Sequence, residues 1–120
     1  MSRFMTRRLH AYIDYPVALG LIVMPYVLGL GTSHPYAQIL SVVTGFAAFA
    51  LTILTNHETG VIKVLPYSLH LAVDAVVGVA FLIAPFLLGF SGLDAVYYWA
   101  IGATVIAVVS LHNPDPQVAA

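Results

Sequence analysis

Cysteine is absent from this 120-residue chain, charged residues make up only 8% of it, and no basic stripe occurs. The first absence excludes disulfides, thiolate catalysis, iron–sulfur clusters and cysteine-type zinc sites. The second excludes a water-soluble globule, in which about a quarter of the residues are charged. Four Lys and Arg against five Asp and Glu leave a net charge of −1, which removes a nucleic-acid role and offers no basis for disorder. Also missing are a Ser, His and Asp triad spacing, a phosphate loop and a dinucleotide fingerprint. What remains in abundance is apolar: 61% of the residues are hydrophobic and the mean hydropathy is +0.97, so the expected class is one small integral membrane domain.

Apolar stretches cover residues 9–30, 35–54, 65–90 and 93–111. Each is close to the roughly 20 residues a helix needs to cross the hydrocarbon. Four transmembrane helices in an all-α bundle follow. The breaks between them are rich in turn and capping residues, with Ser33 and Ser91 as expected N-caps and Pro35 suited to a first helical turn. Pro16, Pro25 and Pro85 fall inside spans, where each should kink its helix and free a carbonyl. Arg3, Arg7 and Arg8 before an apolar run imitate a signal peptide. The run is too long for one and lacks a small-x-small cleavage site, so it reads as a retained first helix.

All four basic residues belong to one side. Arg3, Arg7 and Arg8 precede span one, and Lys63 joins spans two and three, so the positive-inside rule places both termini and the 55–66 loop in the cytoplasm, as for a bacterial inner-membrane protein. Tyr36, Tyr97, Tyr98 and Trp99 are expected to form the outer aromatic belt. Residues 61–65 around Lys63 read as a segment lying on the inner membrane surface.

A shift of 60 residues lays Leu9, His10, Asp14, Val17, Pro25, Leu28 and Gly29 on Leu69, His70, Asp74, Val77, Pro85, Leu88 and Gly89. Matches of His, Asp, Pro and Gly at one spacing indicate two copies of a two-helix unit, 9–55 and 69–113. Each unit crosses the membrane twice, so the copies enter from the same side and are parallel repeats. Spans two and four match more weakly: Gly45 pairs with Gly102 only after a three-residue gap, and His57 and Asn56 answer loosely to His112 and Asn113.

With these residues in view, the chain resembles the SPW-repeat membrane proteins, in which each repeat is two transmembrane helices and the first carries Ser-Pro-Trp. The signature positions here read Met24-Pro25-Tyr26 and Ala84-Pro85-Phe86, followed by Val27-Leu28-Gly29 and Leu87-Leu88-Gly89. Proline is kept while both Ser and both Trp are replaced; Pro25, Gly29, Pro85 and Gly89 form the repeat signature. The resemblance covers nearly the whole chain and implies a fold without implying an activity.

Chemistry concentrates in His10, Asp14, His57, His70, Asp74 and His112. His10 and Asp14 lie one turn apart, as do His70 and Asp74, so each imidazole can reach its own carboxylate. An ionised carboxylate facing lipid costs several kcal/mol, so Asp14 and Asp74 should face inward. His57 and His112 end spans two and four on the same side, bringing a histidine from every helix to one depth. Four readings stand open: a structural polar cluster tying helices together, a metal site with imidazole ligands and Asp14 and Asp74 as ligands or their supports, haem between two histidines, and a proton or ion relay. The cofactor is accordingly none, a metal ion or haem. His34 reads as a turn residue or helix cap. Glu58 reads as capping-box chemistry. The small residues Ser41, Gly45, Ala48, Ala103 and Ala107 read as helix-packing positions. The expected role is a small structural or accessory membrane protein, not an independent enzyme. Its expected partners are the bilayer and a homo-oligomer or larger membrane complex.

Overall fold

In the computed structural model, residues 6–56 and 60–111 are described. They form four helices: α1 (Arg7–Val27), α2 (Tyr36–Leu54), α3 (Tyr67–Leu88) and α4 (Gly92–Ser110). Helices of 19 to 22 residues are roughly 29 to 33 Å long at about 1.5 Å per residue, which matches a hydrocarbon core of about 30 Å. By length and composition α2, α3 and α4 are each apolar enough to cross a membrane. The first helix is diluted by His10, Asp14 and two prolines, and it packs along α2. The outer surface is apolar, with Phe86 and Leu87 76% and 77% exposed, a surface that suits lipid and not water.

Close backbone approach is concentrated within two antiparallel hairpins, α1 with α2 and α3 with α4. Glycine sets the contact in each. A Cβ on Gly45 would stand 2.6 Å from Ile22 Cγ1 and 2.8 Å from the Ala18 carbonyl oxygen; one on Gly102 would stand 2.8 Å from the Gly78 carbonyl oxygen and 2.9 Å from Leu82 Cγ. Gly78 and Leu82 are Ala18 and Ile22 shifted by 60. The two glycines therefore occupy equivalent places, and the three-residue gap between them falls in the connecting loop.

The Pro and Gly signature is a helix stop. Gly29 and Gly89 have φ of 66° and 72°, the left-handed region in which glycine carries no side-chain penalty. The next residue closes the turn: Leu30 N–H donates to the Pro25 carbonyl at 2.8 Å and Phe90 N–H to the Pro85 carbonyl at 3.0 Å, the bond of a Schellman motif. Leu30 and Phe90 then enter the core with Leu21, Ala37, Phe81, Ala95, Tyr97 and Tyr98. α1 and α3 end at Val27 and Leu88, two or three residues before the apolar runs do, because these turns intervene.

Two expectations are corrected at this end. Tyr97 and Tyr98 are 7% and 0% exposed, so they belong to the core and not to an aromatic belt; Tyr36 and Trp99 do reach the surface. Tyr98 stacks on Phe81 with ring centroids 4.5 Å apart, and its hydroxyl donates to the Ala37 carbonyl at 2.9 Å, across the seam between repeats. Pro25 cannot donate to the carbonyl four residues back, that of Leu21. The Ser41 hydroxyl donates to it at 2.8 Å and lies 2.7 Å from the Tyr97 hydroxyl, so a proline defect in repeat one is satisfied by α2 and tied to α4.

Ser91 holds the N-cap position of α4 as expected, without a side-chain bond to the helix, whereas Ser33 is not a cap: Pro35 stands at the N-cap of α2. The Ser33 hydroxyl donates instead to Asp94, and the first turn of α2 is served by His34, whose Nδ1 accepts from Tyr36 N–H at 3.0 Å. Asp94, in the first turn of α4 and fully buried, accepts from Gly31 N–H at 2.8 Å and from Ser33 N–H at 2.9 Å. A carboxylate of repeat two thus organises the loop of repeat one.

Candidate His and Asp site between the repeats

At the opposite end, α1 and α3 bring four polar side chains to the seam. One helical turn places Asp14 beside His10 and Asp74 beside His70. His10 Nε2 lies 2.9 Å from Asp14 and 3.0 Å from Asp74; His70 Nε2 lies 3.3 Å from Asp74 and 3.5 Å from Asp14. Each imidazole therefore faces the carboxylate of its own repeat and that of the other. Both histidines are 2% exposed, and the Asp74 side chain, at 23%, is the most accessible of the four.

The two histidines differ at their second nitrogen. His70 Nδ1 is 2.8 Å from the hydroxyl of Thr55, a fully buried residue just past α2. The single hydroxyl proton of Thr55 is donated to the Leu51 carbonyl. Its oxygen must then accept from His70 Nδ1–H, a tautomer assigned from the bonding pattern. In neutral His70 the Nε2 lone pair therefore points at the two carboxylates. His10 Nδ1 is buried with no hydrogen-bond partner among the described residues, so the repeat symmetry is broken there.

A cavity of about 480 Å³ opens beside the quartet, lined by the N-terminal halves of α1 and α3 and the C-terminal halves of α2 and α4. Its walls include Val17, Leu51, Val77, Ile101, Val105 and Val108. Thr44, Thr52 and Thr104 also line it, but their hydroxyls bond back to carbonyls of their own helices. The four site residues are its main polar feature, and among the described residues no Lys or Arg lines it. Haem does not fit between the two imidazoles. Their centroids are 5.3 Å apart at 82°, and the carboxylates occupy the space a macrocycle would need.

Of the residues singled out from sequence, His10, Asp14, His70 and Asp74 come together. His57 and His112 lie outside the described residues, as do Arg3 and Glu58. Thr55 and Asp94 escaped the sequence reading. Thr55 sits in a stretch that reads as a turn. Asp94 carried a usable signal, an ionisable residue within an apolar span, but Ser91-x-x-Asp94 imitates a local capping box.

These features define a small helical membrane protein: two parallel hairpin repeats, with an aromatic core and an aspartate-held loop at one end and a His and Asp quartet in the seam at the other. The family model described as SPW repeat domain matches residues 8–112, and the chain belongs to that family. No curated protein and no solved structure matches it.

Proposed function

We propose that the protein is a structural or accessory component of a cytoplasmic membrane, and that its quartet is a clasp holding the two hairpins together beside the cavity. The observation that carries this reading is the position of His10 Nε2 within hydrogen-bonding reach of carboxylates from both repeats, 2.9 Å and 3.0 Å away. Few close backbone approaches link the hairpins, so side-chain bonds at the open end have a large share in fixing their separation. The Nε2–H of His10 is the donor that both carboxylates share, and a hydrogen bond to a charged group contributes about 1.5 to 3 kcal/mol. His10→Ala should lower the stability of the detergent-solubilised protein by that amount, and His10→Gln, which keeps a donor, should recover part of it. Equal melting of His10→Ala and the parent protein would reject the clasp.

The proposed orientation puts both termini and the 55–66 loop in the cytoplasm. Arg8 and Lys63 are exposed at the quartet end, and the loops at the opposite end contain no Lys or Arg. Reporter fusions at the two termini should both signal from the cytoplasm; a signal from the far side at either would reverse or break the topology.

A further inference from the structure

We propose that the quartet is a binding site for a divalent transition-metal ion of the zinc class, held by Nε2 of His10 and His70 and by one oxygen each from Asp14 and Asp74. The inference rests on the clasp reading, because the ion would close the same seam.

Four ligands at about 2.1 Å in a tetrahedron stand roughly 3.4 Å from one another. One oxygen of Asp74, Oδ2, lies 3.0 Å from His10 Nε2 and 3.3 Å from His70 Nε2, whereas Asp14 turns Oδ1 to His10 at 2.9 Å and Oδ2 to His70 at 3.5 Å. With one donor atom taken from each residue, all four lie within 4.8 Å of each other, so the most distant donors must draw in by about 1 Å to complete the sphere. Both repeats contribute the same donor pair, which is how a duplicated half-site becomes a whole one.

The tautomer is the second, independent observation. Thr55 takes the Nδ1 proton of His70, as the outer partner of a metal-bound histidine does, and leaves Nε2 to coordinate. Without a cation, that lone pair opposes two carboxylate oxygens at 3.3 and 3.5 Å in an apolar setting. Among the described residues no Lys or Arg side chain lines the cavity, and a bound cation would offset the two carboxylates. Imidazole together with carboxylate favours zinc and its neighbours over magnesium, which keeps most of its water and prefers oxygen. The cavity reaches the quartet.

The test uses the full chain in detergent, stripped with a chelator and titrated with zinc chloride, with magnesium chloride in parallel. Expected are one zinc per chain by calorimetry and elemental analysis, a raised melting temperature, and no saturable magnesium binding. His70→Ala should abolish binding. Thr55→Val, which leaves all four ligands in place, should weaken it by about 10- to 100-fold. Asp14→Asn should weaken it as well. Absence of saturable zinc binding, or binding unaffected by Thr55→Val and Asp14→Asn, would overturn the proposal; the second result would place the ion on other histidines. The two readings can fail separately. If zinc does not bind while His10→Ala still lowers the melting temperature, the clasp stands without the ion. If zinc binds the parent chain while His10→Ala leaves the stability of stripped protein unchanged, the metal site stands without the clasp.

Discussion

Asp94→Ala should be the most damaging single exchange of a polar residue, costing roughly 3 to 5 kcal/mol, since hydrogen bonds to a charged acceptor contribute about 1.5 to 3 kcal/mol each and several are lost together. Its two oxygens receive Gly31 N–H, Ser33 N–H and the Ser33 hydroxyl, and Asp94 is fully buried. Gly31 has φ of 106°, so the loop adopts a backbone shape that aligns its amides on the carboxylate. The Ser33 hydroxyl also accepts from Ser91 N–H at 3.1 Å, joining the α1–α2 loop to the α3–α4 loop. Asp94→Asn should not rescue the loss, because either orientation of the amide turns a donor toward at least one of these donors. Chemical or thermal unfolding in detergent reads the effect. A loss below about 1 kcal/mol would mean that water replaces the carboxylate at little cost, as it does at exposed sites.

The parts of the structure legible from sequence are those with strong local penalties. A carboxylate in an apolar run, a proline inside a helix and a glycine after its last turn have few low-energy uses, so His10, Asp14, Pro25 and Gly29 with their partners 60 residues on mark both the repeat and the fold. What was not legible depends on how the hairpins meet. Pairing of His10 with Asp74 needs the relative placement of α1 and α3, and no local spacing encodes it. Tyr97, Tyr98 and Trp99 are consecutive and read alike in sequence, yet they point to different sides of α4: the tyrosines into the seam, the tryptophan toward Phe86 at the surface. Ser41 reads as a small packing residue. Its second task, taking the Leu21 carbonyl that Pro25 leaves open, appears only once α1 and α2 are set side by side.

The cross-repeat pair of His10 and Asp74 carries the second large expected effect. Each single exchange to alanine should cost about 1 to 3 kcal/mol, because the remaining group keeps a desolvated polar atom without its partner across the seam. Their effects should not add. The pair is in contact at 3.0 Å, and after one member is gone the other has less to lose. Hydrogen bonds between membrane helices contribute about 1 to 2 kcal/mol at best, and coupling of that order is expected here.

A double-mutant cycle on unfolding free energy, with His10→Ala, Asp74→Ala and the double variant in one detergent, is the most direct test of the claim that the quartet joins the two repeats. The double variant should be less destabilised than the sum of the singles by about 1 to 2 kcal/mol. Additivity within about 0.5 kcal/mol would mean that the two residues act independently and would contradict a clasp between the hairpins.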